Sequence, residues 1–293
     1  MRLILLAMGL FSLVGIVVSS KKAVAGNVPS VSIIGGKPAA LGELPYLAAL
    51  NLDGRVCTGS LISTTHVLTA ASCLDSSQSF ASKYTVYLNT LKYDGTTSGA
   101  ITRKVKKFIR HPKYDIGVLV LSAAVTNVKP IPLPPSIPIP TTKPTTTTPT
   151  TTNTIPTTIT TPSYGCTCIP ITPAPIPSGY ANTNAVIAGW GQTNASVELN
   201  SKVLLKANVT IQDDSFCTRQ YGEEFFVGYE LCASAPGKST CGGDRGGPII
   251  VKGVLVGTAS WAYGCANPDY AGIYTRITTY VAWIKTTMAN NVG

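Results

Sequence analysis

The sequence predicts an all-β fold, a sandwich or barrel of short strands. Three observations predict it. Val118–Leu121 is a short apolar run suited to a buried strand. Pro248–Val251 and Val254–Gly257 flank Lys252-Gly253, the pattern of a tight hairpin. Helical spacing stands out only near the C-terminus, where Tyr280, Val281, Ile284 and Met288 recur on one face and Gly293 closes the chain. That stripe reads as packing against the body rather than as a partner surface.

At the N-terminus, Arg2 precedes an apolar stretch from Leu3 to Val18, and Ala23-Val24-Ala25 follows as a small-residue cleavage site. The stretch is short for a bilayer span, so residues 1–25 are expected to be a signal peptide and the protein to be secreted. The formal charge is +10, and Arg2, Lys21 and Lys22 of that leader contribute to it. The densest basic run is Thr102–Arg110 (TRKVKKFIR), read either as a solvated strand face or as a site for anionic glycans. No motif points to nucleic acid, and no further segment is apolar enough to span a membrane. From about Pro130 to Pro177 the chain turns Pro- and Thr-rich, the composition of an extended O-glycosylated stalk or of a neutral low-complexity insertion. Asn194-Ala195-Ser196 and Asn208-Val209-Thr210 are N-glycosylation sequons.

Two motifs carry the chemistry. Cys241–Pro248 reads CGGDRGGP, and Leu68–Cys73 reads LTAASC. They resemble the nucleophile loop GDSGGP and the base motif LTAAHC of the chymotrypsin- and trypsin-like serine proteases. The resemblance runs through nearly all of residues 33–286. It includes Ile33-Ile34-Gly35-Gly36, Cys57–Ser63, Ala188–Gly191, Ser260–Cys265 and Gly272–Arg276. It implies two antiparallel Greek-key β-barrels and a C-terminal helix. The implied division is a short pro-segment at 26–32, a first barrel at 33–129, the insertion at 130–177, and the second barrel with the helix at 178–293.

The family's reaction needs a serine and a histidine that this chain lacks. Arg245 fills the nucleophile position, and a guanidinium has no attacking oxygen. Ser72 fills the position of the general base, where a hydroxyl cannot accept a proton near neutral pH. Asp115, opening Asp115–Leu121, resembles the orienting acid of the triad, although the loop after His111-Pro112 is shorter than the family's. The other reading of Asp115 is a surface acid at a strand start. His66 and His111 are the two histidines, and both read as structural or surface residues. Ser72 is small and Arg245 long, so Arg245 is expected to turn back and pair with Asp115.

The resemblance also implies secondary roles. Gly243 keeps one backbone donor of the oxyanion hole. Ser239, Ser260, Trp261, Ala262 and Gly272 form the specificity pocket, with neutral Ser239 at its base. A new N-terminus at Ile33 would pair with Asp244 after cleavage, but Ser32 precedes Ile33 and offers no trypsin-like cut site. The implied disulfides are Cys57–Cys73, Cys217–Cys232 and Cys241–Cys265. Cys166 and Cys168 remain, to link another chain or to form a local bridge; two thiolates are too few for a structural zinc site.

No cofactor and no metal are expected. The implied function is that of a secreted, catalytically inactive protease homologue. It would bind and modulate another secreted protein, a protease or a glycosidase, as decoy, cofactor or inhibitor; glucanase-inhibitor-like binding is one possibility. The alternatives are a residual or altered hydrolase, and a mucin-like surface glycoprotein built on a protease scaffold.

Overall fold

The computed structural model describes residues 33–135, 179–194 and 197–293. The expected signal peptide, the pro-segment, Cys166, Cys168 and most of the Pro/Thr-rich stretch lie outside these residues. A short strap, β1 (Lys37–Pro38), leads into six strands. These are β2 (Leu47–Leu52), β3 (Arg55–Ser63), β4 (His66–Thr69), β5 (Tyr84–Leu88), β6 (Ile101–Arg110) and β7 (Gly117–Leu121). They close a barrel in the order β2-β3-β4-β7-β6-β5, and every pairing is antiparallel.

The second half opens with β8 (Thr183–Gly189) and a small ribbon of β9 (Gln192–Asn194) and β10 (Val197–Asn200). β11 (Leu205–Ile211), β12 (Glu230–Ser234), β13 (Pro248–Val251), β14 (Val254–Trp261) and β15 (Gly272–Arg276) follow. The ring β8-β11-β12-β15-β14-β13 closes through the pairing of β13 with β8. Relabelled by order of appearance, both barrels have the same strand order, so the protein is one Greek-key module built twice.

Local sequence explains the elements. Every residue of β7 is buried, because it lies between β4 and β6 inside the barrel wall. The β13–β14 hairpin turns at Lys252 and Gly253, with φ of 48° and 79°. Two left-handed residues match the right-handed twist of the flanking strands. On β6, Thr102, Lys104, Lys106 and Arg110 are exposed while Val105 and Phe108 are buried, so the basic run is a solvated strand face in this fold. Helix α1 (Asp214–Tyr221) is capped by Asp213, whose carboxylate accepts from Phe216 N–H at 2.8 Å. It buries only Cys217 and Tyr221, so it has no apolar stripe for a sequence to display.

Two exchanged elements join the barrels. β1 leaves the first barrel and pairs with β11 of the second. Helix α2 (Ile277–Asn290) leaves the second barrel, and its Ile277, Tyr280, Val281 and Ile284 pack with Ile62, Leu68, Ile116 and Val118 of the first. Ile131 is fully buried, and its N–H donates to Leu61 O at 2.9 Å; Pro132 O accepts from Leu255 N–H at 3.0 Å. Ile131 and Pro132 thus hydrogen-bond to the first and the second barrel respectively. The three implied disulfides, Cys57–Cys73, Cys217–Cys232 and Cys241–Cys265, are all formed.

Candidate functional site

The site lies where the barrels meet. The first barrel supplies Ser72, on a single 3-10 turn (Ala71–Cys73) after β4, and Asp115, just before β7. The second supplies the loop Cys241–Gly247 between β12 and β13. Thr58 on β3 fastens that loop across the seam. Its N–H donates to Arg245 O at 2.9 Å and its hydroxyl to Gly243 O at 3.2 Å. Clearance is minimal: at Gly246, φ +79°, an added Cβ would lie 2.1 Å from Thr69 Oγ1 and 2.4 Å from Thr58 O. Only glycine permits both that backbone conformation and that approach.

Ser72, Asp115 and Arg245 do come together. Asp115 Oδ1 accepts from Ser72 N–H at 2.7 Å, and Oδ2 accepts from the Ser72 hydroxyl at 3.0 Å. The Ser260 hydroxyl also donates to Oδ2, at 2.6 Å, and the Thr275 hydroxyl donates to the Asp115 carbonyl at 2.8 Å. Arg245 Nη1 donates to Ser72 Oγ at 3.1 Å. The expected Arg245–Asp115 pair is not formed. Ser72 and Ser260 hold the carboxylate, and the Ser72 hydroxyl stands between acid and guanidinium. Among the described residues Arg245 is in no ion pair.

Neither histidine reaches this cluster. His66 is buried; its Nδ1 meets Ser63 Oγ at 2.6 Å and its Nε2 meets Asn291 O at 2.9 Å, tying β4 to the end of α2. His111 Nδ1 accepts from Tyr114 N–H at 3.1 Å, and the ring packs against Tyr114, Tyr280 and Trp283. Burial holds the His111 pKa below the usual imidazole value.

A cavity of about 160 Å³ opens beside the loop. Gly243, Arg245, Ser260, Trp261 and Ala262 line it. Ser239 and Gly272, expected in the pocket, do not. Ser239 is nearly buried and its Oγ accepts from Ala266 N–H at 2.6 Å, so it faces the Cys265 loop from behind. An added Cβ on Gly272 would meet Tyr274 and Thr240 rather than open space. Trp261 is held by Nε1 donating to Glu230 Oε1 at 3.0 Å, and burial raises the Glu230 pKa.

Asp244 is fully buried and bound to backbone alone, accepting from Gly191 N–H at 2.7 Å and Cys241 N–H at 3.0 Å. Burial pushes its pKa up to about 7. Ile33 is fully buried in the second-barrel core, with φ of 49°. Among the expected glycan sites, Asn208 is exposed on β11, and the side chain of Asn194 lies outside the described residues. No helix among the described residues is long and apolar enough to cross a membrane. Sequence reasoning missed the fastening role of Thr58 and the Ser260 and Thr275 bonds to Asp115. Each lies within a motif that resembles the family's, but a threonine or serine gives no sign of its partner until the barrels are docked.

Comparison with known proteins agrees with this architecture. The family model described as Trypsin matches residues 33–164 and 167–284. Trypsin Blo t 3 of Blomia tropicalis is 31% identical over 272 residues, covering 86% of this chain and 85% of the relative. Trypsin I-P1 of Gallus gallus is 33% identical, covering 88% and 90%. The solved structure of neuropsin, a serine protease of mouse brain, aligns with a TM-score of 0.65 at 26% identity, covering 87% of this chain and all of that one.

Proposed function

Because the chain belongs to the trypsin family, we propose that it is a secreted, non-catalytic member that works by binding and modulating another secreted protein, a protease or a glycosidase. The observation that carries this reading is the Arg245–Ser72 contact. The guanidinium occupies the nucleophile position and donates to the hydroxyl that stands in place of the base. Neither group can take a proton from the other near neutral pH, so proton transfer from a nucleophile to a base has no route there. The three disulfides and the expected leader support secretion. The test pairs a fluorophosphonate serine probe with affinity capture from extracellular fluid. The reading expects no labelling, and recovery of one enzyme whose activity changes on binding. Stoichiometric labelling would overturn it.

A second reading has one contact in its favour. The Ser72 hydroxyl meets the Asp115 carboxylate at 3.0 Å, a serine beside an acid. An altered hydrolase would use Ser72 as nucleophile, and the probe would then mark Ser72.

A further inference from the structure

The cleft holds more hydrogen-bond donors than the described residues satisfy. Arg245 carries five N–H donors, and among the described residues its side chain makes one bond, to Ser72. The backbone N–H groups of Gly243 and Arg245 have no partner among the described residues. All of these groups belong to residues that line the cavity, and Arg245 is its one charged lining residue. The nearby acids are engaged: Asp115 by Ser72 and Ser260, and Glu230 by Trp261 and Phe226 N–H. An exposed guanidinium beside two free N–H groups is an anion receptor, and a carboxylate matches it with two oxygens in one plane.

The cavity specifies which carboxylate. Beyond Arg245 its named walls are Gly243, Ser260, Trp261 and Ala262, so it takes an uncharged side chain. A chain-terminal residue carries its carboxylate and its side chain on one Cα, so the two can fill both halves of the cleft together. Exposed Tyr263, adjoining Trp261, offers an apolar surface to the preceding residues. We propose that the cleft is a receptor for the free C-terminus of a peptide or protein ending in an uncharged residue, with Arg245 binding the α-carboxylate. Cleavage of proteins by another protease produces such ends. The proposal rests on the binding reading above and names the ligand class for it.

Fluorescence anisotropy with labelled Ala-Ala-Ala-Phe tests it, comparing the free acid, the C-terminal amide, and an amide in which glutamate precedes the phenylalanine. The free acid is expected to bind about tenfold tighter than either amide. The Arg245→Gln variant is expected to erase that difference while melting at the wild-type temperature. Equal binding of acid and amide, tighter binding of the glutamate peptide, no binding at all, or a difference that survives Arg245→Gln would each overturn the proposal. Mass spectrometry of Ala-Ala-Ala-Phe-Ala-Ala after incubation separates the two failures. Cleavage would overturn the non-catalytic reading, whereas an intact peptide with no acid preference overturns the C-terminus receptor alone.

Discussion

Ser72 binds both oxygens of Asp115, its N–H on Oδ1 at 2.7 Å and its hydroxyl on Oδ2 at 3.0 Å. The acid is thereby an anchor for the Ser72 turn and for Ser260 on β14, linking the two barrels. Replacing it by alanine strands three donors. Asp115→Ala is expected to lower unfolding stability by about 2 kcal/mol, and Ser72→Ala, which keeps the backbone bond, by about 1 kcal/mol. Urea denaturation of the two variants checks the order.

Arg245 behaves differently, because it is exposed and makes one side-chain bond. Arg245→Ala is expected to change stability by less than about 0.5 kcal/mol. A loss of several kcal/mol in the same titration would show a buried charge pair in its place.

On the proposed reading, Ser72 and Arg245 stand at the base and nucleophile positions of the two barrels, and those positions act as a unit in the family's reaction. Ser72→His and Arg245→Ser are each expected to leave fluorophosphonate labelling at background. The double variant is expected to label, since only it has both a nucleophile and a base beside Asp115. Labelling by Arg245→Ser alone would mean that another group serves as base.

Asp244 sets a pH dependence. Its folded pKa of about 7 lies above the ordinary 3.8, so between those values the folded chain holds a proton that the unfolded chain releases. Stability is therefore fullest below about pH 4 with respect to this group and declines as pH rises toward about 7. In Asp244→Asn this decline is expected to vanish, even though one of the two backbone bonds is lost, since the amide nitrogen cannot accept. Melting temperature measured across that range in both proteins gives the comparison.

Arg276 is buried to 3% exposure, pairs with Asp214 and donates from Nε to Glu230 O at 2.9 Å. Arg276→Met leaves the Asp214 carboxylate partly buried without its cation, and is expected to cost about 3 kcal/mol in chemical denaturation.

The legible parts of this protein were those whose meaning is local. The β13–β14 hairpin, the buried run of β7 and the stripe of α2 follow from spacing and turn chemistry. Ser72 and Arg245 were conspicuous because each stands in an otherwise well-matched motif. What could not be read depends on competition among neighbours. Arg245 was expected to reach Asp115, but the Ser72 hydroxyl lies between them and receives the guanidinium instead. Ser239 was expected to floor the pocket, but a backbone N–H at Ala266 engages it. A sequence names the candidates for a bond and leaves the winner to three-dimensional proximity.

The covalent map has a seam. Cys57–Cys73 lies in the first barrel, and Cys217–Cys232 and Cys241–Cys265 lie in the second, so no described disulfide crosses between them. Main-chain connectivity between the halves runs through residues 136–178. Yet β1 is lent by the first half to the second, and α2 by the second to the first. A single nick in that connection would leave, as far as the described residues go, a two-chain protein clasped by reciprocal arms. Its parting would then be governed by dilution, and the cleft that both halves build would come apart with it.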